Sequence, residues 1–433
     1  HRLRKEGPMI ALLFITLFIL LGIGAPIAIA LGGSSMLWVY LSGTVSDYTI
    51  LHRIVNGMDS FPLLAIPFFI MAGTLMNETG LTNQIYNFAN ALVGWLPGGL
   101  GHVNIGGSVI FAGMSGTAVA DAGGLGTIEI KAMTDAGYDL DFSLAVTAAS
   151  STIGPIIPPS LPMVIYGVMA SASIGRLFIA GFVPGILMAI AMSVLVAYYA
   201  KKRNYPRDTS FSLRRLGKRT IEGIPALITP IIIIGGIMSG VFTPTEAAIA
   251  AVAYALILSL IYKTLTLKKL VAVSLETAET TAVILLIVGC ASIFAWVLTV
   301  TQTTEKFAMV MLSLSNNKYV VLLIINLILL VVGCFMETIA AITILTPVFL
   351  PVITNLGIDP VHFGVIMVFN LMIGLLTPPV GMVLFVLARV TKVPFERVAK
   401  ATAPFLIPLL AVLILISVWE PACLWLPNLV FNK

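Results

Sequence analysis

The chain has 433 residues, of which 59% are hydrophobic and only 10% are charged. Apolar runs recur along nearly its whole length and leave no room for a separate aqueous domain, which excludes a soluble multidomain enzyme. The formal net charge of +5 reports orientation in a membrane rather than nucleic-acid binding. The composition therefore predicts an all-α polytopic membrane protein that binds no nucleic acid.

The apolar segments of residues 9–200 follow a definite order. They are an interrupted pair of spans at 9–41, a third span at 61–76, a hairpin at about 103–133, a Pro-broken span at about 141–170 and a last span at 177–200. Residues 225–433 repeat this order. Their segments are a pair at 225–262, a third span at 282–298, a hairpin at about 319–351, a broken span at about 361–389 and a last span at 404–418. The repetition predicts two structural repeats.

The repeats are predicted to be inverted, because re-entrant hairpins leave each repeat with about five crossings, which is an odd number. The loop at 201–224 tests this, since residues 201–219 hold eight Lys and Arg residues and should be cytoplasmic. When this loop is placed in the cytoplasm and the other loops are assigned by following the crossings from it, 16 of the 24 Lys and Arg residues lie on the cytoplasmic side. The segment 1–8 argues against this inverted topology, because the topology places its basic residues on the outer side of the membrane.

Two Pro-Pro pairs, Pro158-Pro159 and Pro378-Pro379, interrupt apolar spans in corresponding places. Each proline removes one N–H and crowds the carbonyl four residues earlier. The carbonyls predicted to be freed are those of Gly154, Pro155, Gly374 and Leu375. Facing a cavity, such carbonyls can coordinate sodium together with nearby hydroxyls. A proline kink that only bends a helix is the simpler alternative for either break alone.

The hairpin tips supply further polar groups at membrane depth, in GMSGTAVAD and GCFMETIA. Asp121 and Glu337 lie there, and intramembrane carboxylates are functional by default. The alternative is that each is a paired or capping acid that holds its hairpin together. Glu246 follows Thr243-Pro244 at a helix start, where an acid complements the helix dipole, and is interpreted as structural. Half-helix starts near 160–163 and 380–382 suit a substrate carboxylate.

Four motifs, SGTAVADAGGLGTI, STIGPIIPPS, ETIAAITILTPVFLP and GLLTPPVGMVLFV, resemble the large membrane (M) subunit of tripartite ATP-independent periplasmic (TRAP) transporters, especially the sialic-acid type. The resemblance covers essentially the whole chain. It implies an elevator-type secondary transporter of the bacterial inner membrane, coupled to sodium and driven by no nucleotide. The implied substrate is a small organic acid, sialic acid (N-acetylneuraminate) first, with a C4-dicarboxylate as the alternative.

The resemblance also implies two protein partners. One is a small membrane (Q) subunit of four helices, sometimes fused upstream, and the other is a soluble periplasmic substrate-binding (P) protein. The sequence begins with His rather than Met, so residues 1–8 are interpreted as the possible end of a linker from a fused Q subunit.

Together the residues and the resemblance predict two overlapping sets of site residues. The sodium-binding set is Ser115, Gly116, Thr117, Gly154, Pro155, Pro158, Gly333, Met336, Thr338, Gly374, Thr377 and Pro378. The substrate-binding set is Ser115, Asp121, Thr152, Ser160, Glu337, Thr377 and Pro379. Three cysteines in apolar surroundings are too few for a disulfide framework or a transition-metal site.

The residues bear on three alternatives to a sodium-coupled transporter: an enzyme, a proton-coupled transporter and a structural subunit. A phosphate-binding loop, an HExxH helix and a GxSxG elbow are not found in the sequence, so an enzyme is not expected. A proton-coupled organic-anion transporter could use Glu337 and Asp121 as carriers, and sodium dependence of uptake at fixed pH separates it from a sodium symporter. A purely structural subunit would tolerate repair of both Pro-Pro breaks.

A last expectation concerns motion. The two hairpins and the two broken spans are predicted to move as one unit against a scaffold made of the paired spans, because small residues crowd the first group and bulky residues the second.

Overall fold

The computed structural model describes residues 3–43, 46, 48–208 and 210–431, with side chains from Met9 onward except that of Ser115. Within these ranges every regular element is helical. The helices of residues 3–203 are α1 (Leu3–Gly22), α2 (Ile27–Ser42), α3 (Tyr48–Met58), α4 (Ala65–Glu78), α5 (Leu81–Val93), α6 (Gly99–Ser115), α7 (Ala118–Gly123), α8 (Leu125–Asp135), α9 (Leu140–Ser151), α10 (Leu161–Met169) and α11 (Ile174–Arg203). A 3-10 turn at Phe61–Leu64 leads into α4.

The helices of residues 213–431 are α12 (Leu213–Pro230), α13 (Gly236–Met238), α14 (Pro244–Ile261), α15 (Leu267–Val300), α16 (Thr303–Leu314), α17 (Lys318–Phe335), α18 (Thr338–Asn355), α19 (Pro360–Gly374), α20 (Met382–Thr391), α21 (Phe395–Thr402), α22 (Leu406–Val418) and α23 (Pro421–Phe431). A π turn at Ile231–Gly235 joins α12 to α13, and a 3-10 turn at Ala403–Phe405 precedes α22. Eight helices of the described ranges are long and apolar enough to cross a membrane, as expected of a polytopic membrane protein.

The predicted interruptions are present as breaks in the helices. Helices α6, α7 and α8 form hairpin 1, which turns at Gly116, where φ is +63°, and α17 and α18 form hairpin 2. Residues 152–160 separate α9 from α10, and residues 375–381 separate α19 from α20. The Pro158-Pro159 and Pro378-Pro379 peptide bonds are both cis.

Several helices differ from the prediction. Helix α12 begins at Leu213, inside the segment predicted as a cytoplasmic loop at 201–224. Helix α15 has 34 residues and begins at Leu267 rather than near 282. At about 1.5 Å per residue it is roughly 50 Å long, more than the bilayer core of about 30 Å. Its first turns extend beyond that core and are polar, and a search for apolar segments therefore does not find them. Helix α3 lies between the predicted spans at 9–41 and 61–76 and was not itself predicted. It packs on α15, with the Arg53 guanidinium over the Trp296 ring. Helix α23 packs on α11 after the expected last span.

The helices pack as two groups. The scaffold, α1–α4 and α12–α15, contains the contacts of α2 and α3 with α15 and of α4 with α14. The hairpin unit, α6–α10 and α17–α20, is interlocked, because α18 of hairpin 2 packs on α10 and α7 of hairpin 1 packs on α20. Helix α5 contacts α12 and α6, and α16 contacts α15 and α18. These two helices connect the groups, which also contact each other directly where α4 and α12 pack on α6 and α15 packs on α18.

Polar contacts join segments that the charge pattern places on the same side. On the predicted cytoplasmic side the ion pairs are Arg203–Asp139 at 2.8 Å, Lys269–Glu78 at 2.9 Å and Arg397–Asp141 at 2.6 Å. On the other side Arg176 lies 4.0 Å from Asp359 and donates to Asn428. Glu246 forms a capping box with Thr243, so its structural interpretation is correct.

Candidate functional site

A cavity of about 1050 Å³ lies between the scaffold and the hairpin unit. Residues of α2, α4 and α15 line one side. Thr117, Glu337 and Thr338 of the hairpin tips, with Pro155 and Leu375 of the breaks, line the other. The fold thus brings both tips and both breaks, which are far apart in sequence, to one cavity.

Hairpin 1 contacts the first break through the backbone. A Cβ on Gly116 would lie 2.7 Å from the Pro159 carbonyl oxygen, and a Cβ on Gly154 would lie 3.4 Å from that of Thr117. At Gly116 only a glycine allows this approach, because a Cβ there would force the two segments apart. Thr117 also caps α7 by accepting from the N–H of Ala120 at 3.3 Å. The side chain of Ser115 lies outside the described part of the chain.

The first break satisfies more of its backbone than predicted. The Pro155 carbonyl is not free, because the Ser160 hydroxyl donates to it, and Ser160 in turn accepts from the N–H of Met163 at 3.2 Å. Thr152 donates to the Ala149 carbonyl. In the described ranges the Gly154 carbonyl accepts no hydrogen bond, as predicted. The prediction was wrong for Pro155 because a serine hydroxyl five residues on replaces the missing N–H.

Hairpin 2 contacts the second break in the same way. A Cβ on Gly374 would lie 2.6 Å from the carbonyl carbon and oxygen of Gly333, and Val380 donates to the Cys334 carbonyl at 3.1 Å. Here the prediction of free carbonyls was wrong. Gly374 accepts from the N–H of Thr377 and Leu375 from that of Val383, because the chain folds back in tight turns. Each carbonyl still has a second lone pair.

The other predicted residues of this break are also placed. The Thr377 hydroxyl donates to the Ile373 carbonyl at 2.7 Å. Met336 ends α17. The remaining prolines, Pro158, Pro378 and Pro379, lie within the two breaks.

The two predicted carboxylates have different surroundings. Glu337 lines the cavity and caps α18, since its Oε2 accepts from the N–H groups of Ile339 and Ala340 at 2.9 and 3.2 Å. This is the capping role that the sequence left open. The neighbouring Thr338 hydroxyl is buried without a hydrogen-bond partner. Asp121 is only 1% exposed, and its Oδ2 also has no partner.

Sequence reasoning missed three asparagines that join each hairpin to its own broken helix. Asn104 of α6 donates to Thr147 at 2.7 Å and accepts from Ser150 at 2.6 Å, both on α9. In the second repeat, Asn370 of α19 donates to Asn326 of α17 at 2.8 Å. Asn104 and Asn326 each lie in the helix that precedes the tip of their hairpin. An isolated asparagine in an apolar arm is the signal that could have revealed them.

Sequence reasoning also missed two carboxylates. Glu276 of α15 lines the cavity from the scaffold side, and it was overlooked because α15 was expected to begin after it. Glu129 of α8 is buried inside hairpin 1, with 1% of its surface exposed. Both could be recognised as charges inside helical segments.

Comparison with known proteins agrees with this geometry. Residues 14–422 match the family described as tripartite ATP-independent periplasmic transporter, DctM component. The sialic acid TRAP transporter large permease protein SiaM of Vibrio cholerae is 46% identical over 411 residues, which cover 95% of this chain and 96% of SiaM. The sialic acid TRAP transporter permease protein SiaT of Haemophilus influenzae is 43% identical over 412 residues, 95% of this chain and 67% of SiaT.

A solved structure, that of the Alcanivorax borkumensis YdaH transporter, superposes with a TM-score of 0.65 at 15% identity, covering 86% of this chain and 88% of YdaH. It shows a similar fold. The named relatives are transporter permeases and not enzymes. The chain therefore belongs to the DctM family, the large permease subunits of tripartite ATP-independent periplasmic transporters, and is a multi-pass protein of the bacterial inner membrane.

Proposed function

We propose that this permease takes up a small organic acid together with sodium, and that the acid is sialic acid (N-acetylneuraminate). The observation that supports this most directly is the cavity of about 1050 Å³ at which both hairpin tips and both breaks meet the scaffold. The substrate part of the proposal rests on likeness to SiaM, at 46% identity.

Two groups of oxygens suit sodium, a hard cation that takes oxygen ligands. At the first tip, the carbonyl oxygens of Thr117 and Ser151 lie 3.4 and 3.3 Å from the Cβ position of Gly154, so both face one glycine. At the second tip, the Thr338 hydroxyl is buried and unpartnered. An unsatisfied buried hydroxyl costs about 1–3 kcal/mol, and a bound cation would remove that cost. Sodium would supply positive charge near the cavity.

Two half-helices suit the carboxylate of the acid. Leu161 and Pro162 at the start of α10 and Met382 at the start of α20 line the cavity. The N-terminal N–H groups of these helices carry partial positive charge toward it, which favours an anion. The described residues that line the cavity include no Lys or Arg. Helix ends and sodium are therefore the sources of positive charge in this proposal.

The proposal includes two partners and a moving unit. A periplasmic binding protein delivers the acid, and a small membrane subunit accompanies the permease. This chain covers 67% of SiaT, so that relative has room for a further segment. The hairpin unit carries the acid and sodium across the scaffold, in an elevator mechanism, and the two ligands bias the equilibrium only through different affinities for its two positions.

The test is uptake by purified protein in liposomes, with and without sodium and the binding protein, at fixed pH. Thr338→Ala should lower the apparent sodium affinity about tenfold, equivalent to about 1.4 kcal/mol. Ser115→Ala should act in the same direction. Thr343→Ala is the matched control, because the Thr343 hydroxyl donates to the Ala340 carbonyl within the same helix, and it should retain wild-type sodium dependence.

Several results would contradict the proposal. Uptake that follows a pH gradient and ignores sodium would favour the proton-coupled alternative. A preference for a C4-dicarboxylate over sialic acid would overturn the substrate assignment. Wild-type sodium dependence in Thr338→Ala would remove the second tip as a sodium site.

A further inference from the structure

Hairpin 1 contains a buried carboxylate that the proposed sodium and substrate sites do not use. Glu129 of α8 is 1% exposed, and neither Oε1 nor Oε2 has a hydrogen-bond partner among the described residues. Asp121 of α7 is equally buried, with Oδ2 unpartnered. Helices α7 and α8 pack against each other, and the charge of Asp121 disfavours ionisation of Glu129. They form an acidic pair inside the hairpin.

Two neighbours on α6 shape the space around the pair. Ser108 is 1% exposed, and its hydroxyl approaches Asp121 without completing a hydrogen bond in the described structure. A Cβ on Gly107 would lie 2.6 Å from Glu129 Oε1, so the carboxyl group of Glu129 rests directly against the α6 backbone. The site thus has an unused buried hydroxyl beside it and a glycine that makes room for one carboxyl oxygen.

In the described part of the chain, no cationic side chain forms an ion pair with Asp121 or Glu129. The elements packed against α7 and α8 are α4, α5, α6, α9 and α20. Their titratable and charged side chains are Glu78, Tyr86, His102, Asp141 and Arg389, and α8 itself carries Lys131 and Asp135. Of these, Tyr86 feels the charge of Glu129. Glu78 and Asp141 pair elsewhere, with Lys269 and Arg397. In the described ranges, Asp121 and Glu129 take part in no ion pair.

Two unpaired carboxylates at such depth cannot both stay ionised, because desolvation and mutual repulsion each disfavour the second charge. We propose that Glu129 binds a proton, so that the pair carries one negative charge, on Asp121. The step is transfer of one proton from a hydronium ion of the surrounding water to the carboxylate of Glu129: one O–H bond of hydronium breaks, one O–H bond of Glu129 forms, and a water molecule is left. The assignment to Glu129 follows from its two shielded oxygens, whereas Asp121 has only one.

This inference rests on the proposed function in one respect: the single charge left on Asp121 lies in the hairpin proposed to bind sodium. The proton on Glu129 would travel with the hairpin unit and would not be released during uptake. It would keep the hairpin from carrying a second negative charge, which an organic anion would otherwise meet near the cavity.

The test is infrared spectroscopy of the purified full chain in lipid nanodiscs, which separates the C=O stretch of a protonated carboxyl from carboxylate bands. At neutral pH the wild type should show a protonated-carboxyl band with and without saturating sodium. Glu129→Gln should lose that band. Glu279→Gln, which alters an exposed acid on α15, should keep it. In Asp121→Asn the band should remain and should disappear at a lower pH than in the wild type, because its neighbouring charge is gone.

Three results would overturn the proposal: no such band in the wild type at neutral pH, disappearance of the band on adding sodium, or persistence of the full band in Glu129→Gln. If Glu129→Gln does not fold, titration of the wild type decides, since the proposal requires the band to persist through neutral pH. Liposome uptake keeps the two proposals apart. Sodium-independent uptake with the band present rejects the sodium proposal alone, and sodium-dependent uptake without the band rejects the proton alone.

Discussion

The contact between Gly333 and Gly374 is the most demanding approach between a hairpin and its break. A Cβ on Gly374 would lie 2.6 Å from the Gly333 carbonyl carbon and oxygen, where ordinary contact begins at 3.4 Å. Gly374→Ala must therefore separate hairpin 2 from the second break by about 0.8 Å. Both sides are backbone, so no side-chain rotation relieves the clash. We expect a cost at the upper end of the roughly 1–3 kcal/mol typical of overpacking.

The displacement should also affect ligand binding, because Thr338 and Leu375 line the cavity on the two sides of this contact. We expect Gly374→Ala to lower both the unfolding temperature and the apparent sodium affinity, the latter by about tenfold or more, since each 1.4 kcal/mol is tenfold. The measurements are thermal unfolding in nanodiscs and sodium-dependent uptake in liposomes.

Gly217→Ala is the control for the same substitution in a helix. A Cβ there meets nothing within 4 Å, so alanine should leave uptake unchanged and stabilise α12 by roughly 0.5–1 kcal/mol. The reasoning fails if Gly374→Ala keeps both the wild-type unfolding temperature and sodium affinity, because the two backbones would then not be held in contact.

Three further predictions follow from single contacts. Asn104→Ala should destabilise hairpin 1 by about 1–3 kcal/mol, because it leaves buried hydroxyls on α9 without their partner; an unchanged unfolding temperature would contradict this. Ser160→Ala should cost about 1–2 kcal/mol through loss of the α10 cap, checked by unfolding against Ser212→Ala, an exposed cap on α12. The hydrogen bond from Tyr205, with the nearby Arg203, lowers the pKa of Asp139. Its stabilisation is therefore present above about pH 4 and is lost as pH falls through the lowered pKa, and Asp139→Asn should unfold with a weaker acid dependence.

Much of the fold was predictable because membrane-spanning sequence must satisfy its backbone internally. Glycine-rich tips and Pro-Pro pairs stand out against apolar helices, and the hairpin at 319–351 and the break at 361–389 differ by only a few residues from Lys318–Asn355 and Pro360–Thr391. The division into inverted repeats at 201–224 stays a prediction. Helix α15 was misplaced because its first turns are polar, so hydropathy reports the membrane-crossing part of a helix and not its full length.

The site was less predictable than the fold. Proline removes hydrogen bonds by a local rule, and Pro155, Gly374 and Leu375 were therefore expected to have free carbonyls. Tight turns and the Ser160 hydroxyl supply replacements that depend on the path of the chain. The packing of Glu129 against Gly107 likewise joins two helices, and no spacing within one helix indicates it. Residue types locate the site, whereas hydrogen-bond partners require the fold.

The kinds of contact within and between the two groups of helices support the proposed motion. Inside the hairpin unit, glycines bring backbone against backbone, at Gly116 with Pro159 and at Gly374 with Gly333. The scaffold has the same kind of contact where a Cβ on Gly289 would lie 2.9 Å from the Ile54 carbonyl oxygen. Backbone contacts admit no rotamer change, so each group resists internal distortion. Between the groups, Gly113 of α6 meets the Pro230 ring instead, α4 and α12 pack on α6 and α15 packs on α18, and a cavity of about 1050 Å³ lies beside these contacts. A change of shape is therefore easiest at the boundary, and it would carry both hairpin tips together.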